Sequence, residues 1–175
     1  MRISFFEEFP TKKNIARVLL LPFPVKLYLA ARSLEEFTKI KIPSSHEKIY
    51  WPTLEKKEGY WFSPFSDPHA VKRIISELEG ENVPVLWDAE LPTTTNPGLY
   101  LSQFLSFFAN RNAICSFIEK KGNQIYTAEY FPPSFLPQKT FMFLGLSFPF
   151  PHHHPIKMIY SSMHDFGEEE IRKGV

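Results

Sequence analysis

The sequence predicts an α/β chain of the (β/α)8 TIM-barrel type, and three observations carry that expectation. Apolar, strand-like runs alternate with amphipathic helical stretches at intervals of about twenty to thirty residues. Polar residues recur just past the ends of those runs, and no Gly-x-Gly-x-x-Gly follows any of them. Such alternation makes parallel, right-handed βαβ units. The absent phosphate loop argues against a dinucleotide fold, whereas Glu7, Glu8, Glu55, Asp88, Glu90, Glu129, His152, His164 and Asp165 suit the rim of a barrel, where its sites lie.

The elements follow in order. Residues 3–6 form an apolar run that stops at Glu7, Glu8 and Pro10, and Thr11 caps a helix whose Ile15, Val18 and Leu19 share a face. Residues 25–30 repeat the pattern: a run rich in Val, Leu and Tyr, then Ser33 and Glu36 as a capping box before Leu34, Phe37 and Ile40. A third run, 49–54, leads through an aromatic connection to Asp67-Pro68, an N-cap with proline at the first helical position. Behind it Val71, Ile74, Ile75 and Leu78 fit the i, i+3, i+4, i+7 template.

The fourth run, 83–92, reads Val-Pro-Val-Leu-Trp-Asp-Ala-Glu-Leu-Pro. Asn96-Pro97 then opens a helix, with Leu101, Phe104, Leu105 and Phe108 as its expected buried stripe. Residues 113–118 and 124–131 both read as strands, joined by Lys-Lys-Gly-Asn as a hairpin-like turn. Another apolar run spans 141–150 and reaches a Pro/His cluster; 156–163 reads as a further strand, and 168–175 opens as a helix with acidic residues in its first turn. A full barrel takes about 250 residues. Six to seven βα units in 175 residues therefore predict one domain, 1–175, incomplete at its C-terminus, with unclosed strand edges open to self-association.

Composition narrows the partners. A formal charge of +1 gives no basic footprint for nucleic acid or anionic membrane. Acidic residues near the N-terminus interrupt any signal-type apolar centre, and no stretch approaches the ~20 apolar residues of a membrane span, so the expected location is cytoplasmic. The single Cys115 sits in an apolar run and reads as a small buried hydrophobe.

Asp88 and Glu90 are the first candidates for chemistry. Side chains two apart on a strand share a face, about 6–7 Å apart along it, so both carboxyls point into one space. Glycoside hydrolysis needs one carboxyl kept protonated and a second negative group. A low-dielectric barrel floor with Trp87 beside the pair separates their pKa values in that sense. The segment Trp87-Asp-Ala-Glu-Leu-Pro92 resembles the end of the fourth strand in chitinase-like barrels of glycoside hydrolase family 18, which carry an Asp-x-Glu. The resemblance implies that Glu90 is the general acid and that Asp88 orients the substrate's acetamido nucleophile. Met158-Ile-Tyr160 is similar to a later strand end of that family, with Tyr160 matching its tyrosine and Ser161 standing where its Asp would be.

Further candidates surround this pair. Trp51, Trp61 and Trp87 at strand ends suit a saccharide groove, because sugar rings stack on indoles, and Glu7 and Glu129 are the rim carboxylates expected to join them. An alternative is a metal-dependent TIM-barrel hydrolase or isomerase that holds a divalent metal with His152, His154, His164 and Asp165. In the main reading no cofactor is needed and the partner is a saccharide or other small molecule. A third possibility is a barrel fragment that binds saccharide without chemistry.

Overall fold

The computed structural model describes residues 3–92, 98–104, 106–130 and 137–158. Six strands, β1 (Ile3–Glu7), β2 (Val25–Ala31), β3 (Glu47–Pro52), β4 (Val85–Asp88), β5 (Ile125–Tyr130) and β6 (His154–Met158), form one sheet in sequential order. Every neighbouring pair is parallel. Parallel neighbours in sequential order require a crossover at each step, and right-handed crossovers put the connecting helices on one face. The sheet curls into a half-barrel.

The helices start where the caps predict. Thr11 Oγ1 accepts from Asn14 N–H at 3.2 Å to open α1 (Lys12–Val18), and Ser33 Oγ accepts from Glu36 N–H at 3.2 Å to open α2 (Leu34–Lys39). Asp67 Oδ1 accepts from His69 and Ala70 N–H at 2.9 and 3.0 Å, fixing α3 (Pro68–Leu78), whose Val71, Ile74 and Leu78 are buried.

Beyond β4 the structure corrects the sequence reading. The next described helix, α4, spans Gly98–Ser102, and Leu101, Phe104 and Phe108 are exposed instead of forming a buried stripe. Leu105 and Asn96-Pro97 lie outside the described residues. Residues 113–118 are not a strand: they belong to α5 (Phe107–Lys121), which buries Phe107, Asn110, Ile114, Phe117 and Ile118. The expected hairpin turn is the helix end, where Gly122 takes φ 53°. With α5 crossing between β4 and β5, the fourth unit is an ordinary βαβ. The run at 141–150 opens inside a short helix, α6 (Gln138–Phe143), and the strand expected from 156 begins at His154. Residues 159–175, for which the sequence predicts the rest of that strand and a further helix, lie outside the described residues.

Strand alternation divides the core in two. Leu27, Leu29, Tyr50, Val85, Trp87 and Ile125 face the helices and pack with Phe37, Ile74, Ile114 and Phe117. Tyr28, Ala30, Ile49, Trp51, Leu86 and Ala128 face the other way, onto the inner face of the curl, where their described neighbours are Trp61, Tyr126, Ile156 and Met158 and not a helix. This inner face carries the candidate site. Cys115 is half-buried beside the helix-side core. Among the described residues no helix is long and apolar enough to cross a membrane.

Candidate functional site

A cavity of about 370 Å³ opens on the inner face at the C-terminal ends of the strands. Its aromatic wall comes from β1 and β3. Trp51 stacks on Trp61 with ring centres 5.7 Å apart and planes 7° from parallel, and Phe6 meets Trp51 edge-on at 6.0 Å. Ile156 and Met158 of β6 supply the opposite apolar side. Three carboxyl groups complete the lining: Glu8 just past β1, Asp88 at the end of β4 and Glu90 two residues on. Asp88 and Glu90 thus occupy one space, as their spacing requires.

The two differ in environment. Asp88 is 4% exposed, and its carboxyl and the buried Trp51 indole N–H act on each other, although neither Asp88 Oδ1 nor that N–H completes a well-formed hydrogen bond. Glu90 is half-buried. Burial above all, then the charges of Glu90 and Glu8, push the Asp88 carboxyl well above the usual carboxylate range, while the nearby Trp51 N–H works in the opposite sense. Tyr130 at the end of β5 feels the same field. Burial and the Glu90 charge push its phenol up to about 12.

Of the two adjacent glutamates at the end of β1, Glu8 lines the cavity, not the expected Glu7. Alternation turns Glu7 away, where its Oε1 accepts from Phe9 N–H at 3.0 Å and Asn14 Nδ2 at 3.1 Å and so ties the start of α1 to β1. Glu8 instead accepts from the Tyr60 hydroxyl at 2.6 Å. Gly59 at φ 120° and Tyr60 at φ 63° make the turn that delivers Trp61 onto Trp51. Sequence reasoning places Tyr60 in the aromatic group with Tyr50, Trp51, Trp61 and Phe62 without its bond to Glu8, and misses Tyr130 and Lys157. The glycine ahead of that aromatic run was the available signal for the turn at Tyr60.

Trp87 is not at the rim. It is fully buried on the helix side, between Phe62 at 4.3 Å and Phe117 at 5.3 Å, so it cannot stack on a ligand. Glu129 also faces the helix side. Its Oε1 accepts from Thr127 Oγ1 at 2.7 Å and faces His153 Nε2 at 2.9 Å, while Oε2 accepts from Ser147 Oγ at 2.7 Å and Lys157 Nζ at 2.6 Å. Despite the cost of burial, these four partners hold its carboxyl down at about 2. This is a structural knot tying β5 to β6 and the loop after α6, with no oxygen left over for substrate.

The histidines do not converge either. His152 is exposed, and His154 stacks on Tyr126 at 4.9 Å at the N-terminal end of β6, opposite the cavity. His164, Asp165 and Tyr160 lie outside the described residues. Among the described residues no group of three His, Cys, Asp or Glu side chains is placed to hold a metal ion.

Fold and cavity define an α/β half-barrel with an acid-and-aromatic pocket at its strand ends. Comparison with known protein families, with curated proteins and with solved structures returns no match for this chain.

Proposed function

We propose that the chain is a glycoside hydrolase-like protein of (β/α)8 type, with Glu90 as general acid and Asp88 assisting. One observation carries this reading: two carboxyls on one strand end share a cavity but differ in burial, and the deeper one is held toward its protonated form. Asp88 is the more deeply buried of the two. Glu90, half-buried at the cavity, is the group that meets the glycosidic oxygen: the one proton the pair shares passes from Asp88 to Glu90, which gives it to the leaving oxygen, so that both carboxylates are left charged. The charge left on the pair supports the oxocarbenium-like state. Trp51, Trp61 and Phe6 supply flat apolar surfaces for a sugar ring.

Glu90→Gln tests the assignment directly. The variant should lose hydrolysis of an aryl glycoside or oligosaccharide by about 10²-fold or more, on the order of what one acid–base group contributes, with saccharide binding retained. Unchanged turnover would remove Glu90 from the chemistry. Binding with no turnover by the wild-type chain on any glycoside would favour the non-catalytic saccharide-binding reading.

A further inference from the structure

Hydrolysis of a glycoside needs more than an acid. A second carboxylate, across the scissile bond from the acid, acts on the opposite face of the sugar ring. Asp88 is badly placed for that, because it ends the same strand, β4, that Glu90 follows by two residues. The group has to come from another wall of the cavity.

Glu8 stands on such a wall. It follows β1, and β2 and β3 lie between β1 and β4, so three strand spacings of about 4.8 Å separate the two strand ends by roughly 14 Å along the curl. Both Glu8 and Glu90 nonetheless line the one cavity of about 370 Å³, and the charge of Glu8 is felt at Asp88. The stacked indoles of Trp51 and Trp61 come from β3 and the loop after it, so a sugar ring lying on them has Glu8 to one side and Glu90 to the other. Walls two strands apart suit the carboxyl separation of an inverting pair, about 6.5–9.5 Å, which leaves room for a water, better than the 5–5.5 Å or so of a retaining pair.

The hydrogen bonding of Glu8 also fits a base. Its Oε1 accepts from the Tyr60 hydroxyl at 2.6 Å, a length typical of a bond to a carboxylate. Burial, then the bond to Glu8, pushes the Tyr60 phenol far up, so the hydroxyl stays a donor. Among the described residues nothing bonds Glu8 Oε2. One oxygen is anchored and the other is left to take a proton.

Resting on the reading of Glu90 as general acid, we propose that Glu8 is the general base of an inverting hydrolysis. Glu8 Oε2 takes a proton from a water whose oxygen bonds to the anomeric carbon, while the bond from that carbon to the leaving oxygen breaks and Glu90 protonates that oxygen. One water is consumed. The proton on Glu8 returns through solvent to the Asp88 and Glu90 pair, and no covalent bond forms between sugar and protein.

Proton NMR of the full chain cleaving a panel of nitrophenyl glycosides, read before the released sugar mutarotates, identifies the first anomer formed. It should have the inverted configuration. Retention would overturn Glu8 as base and leave Glu90 as acid standing. Glu8→Gln, which keeps an acceptor for Tyr60, should lose turnover by about 10²-fold or more, with saccharide binding retained in a tryptophan-fluorescence titration. Glu8→Ala should recover turnover with added azide, a nucleophile that needs no base, and release a glycosyl azide of inverted configuration. Full turnover by Glu8→Gln would overturn the assignment, and so would loss of saccharide binding together with turnover, which would make Glu8 a structural partner of Tyr60 alone. No hydrolysis of any glycoside by a wild-type chain shown folded by circular dichroism overturns the glycosidase reading and this one with it.

Discussion

The hydroxyl of Tyr60 donates a 2.6 Å hydrogen bond to Glu8 Oε1, joining the loop after β3 to the end of β1 across 52 residues of sequence. Tyr60 is the one described non-glycine residue at positive φ, a conformation that costs on the order of 1–3 kcal/mol and persists only where its surroundings over-determine it. The bond to Glu8 and the edge-on packing of Tyr60 against Trp61 at 4.4 Å are those surroundings.

Tyr60→Phe should therefore loosen the aromatic wall. Removing a hydroxyl bonded to a carboxylate costs about 1.5–3 kcal/mol. The loss should appear as a lower urea midpoint and as a weakened exciton couplet from the stacked Trp51 and Trp61 in circular dichroism. A couplet unchanged in this variant would show that the indole stack holds itself without Tyr60.

Glu129 makes the acid limb of stability predictable. Its folded-state value of about 2 lies below the ordinary 4.5, so the stabilisation is fully present above 4.5 and is lost as pH falls toward 2. Glu129→Ala leaves Lys157 without its carboxylate and His153 Nε2 facing a void. Breaking a buried pair from one side costs about 3–5 kcal/mol. Urea denaturation of wild type between pH 5 and pH 2 should show the steep decline, and the variant should be less stable and much flatter over that window.

Asp88 titrates with the opposite sign. Its folded value lies above the ordinary 3.8, so the folded state binds the extra proton and stability falls as pH rises through the folded value. Asp88→Asn removes a carboxyl that must be charged or protonated in a buried place. At neutral pH the variant should be more stable than wild type by about 1–2 kcal/mol while its activity falls, the trade typical of groups held strained for function. An Asp88→Asn chain no more stable than wild type at pH 8 would mean that folding does not raise the Asp88 carboxyl.

Much of this was legible in the residues, and the failures have definite causes. The first three helices carry capping side chains and apolar faces that agree, so their positions followed from local chemistry alone. The helix α5 did not announce itself because its buried stripe includes a polar residue. Asn110 is 2% exposed and donates from Nδ2 to Pro64 O and Ser66 O, both at 3.1 Å, serving the loop before α3. With Asn110 breaking the apolar period, the run Ala-Ile-Cys-Ser-Phe-Ile looked like a strand. The shared face of Asp88 and Glu90 followed from period two. The face itself did not: Trp87 and Glu129 look like rim residues in sequence, and only the placement of the helices decides that both point into the packed side. Asn110→Leu, which fills the space and strands two carbonyls, should cost about 2–3 kcal/mol.

The placement of the three tryptophans predicts which of them reports on a ligand. Trp61 is half-buried in the cavity wall and Trp51 lies beneath it, whereas Trp87 is sealed between Phe62 and Phe117 on the far side of the sheet. A saccharide entering the cavity changes the surroundings of the first two and leaves the third in the same apolar shell. Trp87→Phe should keep the full ligand-induced fluorescence change, although the smaller ring leaves space in the core and lowers stability to urea by an amount on the order of 1–3 kcal/mol. Trp61→Ala should do the reverse. Its half-exposed ring contributes less to stability, but losing a stacking face should weaken saccharide binding by about tenfold, in line with one aromatic contact. Should the ligand signal vanish in Trp87→Phe and survive in Trp61→Ala, the ligand would bind on the helix side and the inner cavity would lose its claim to the site.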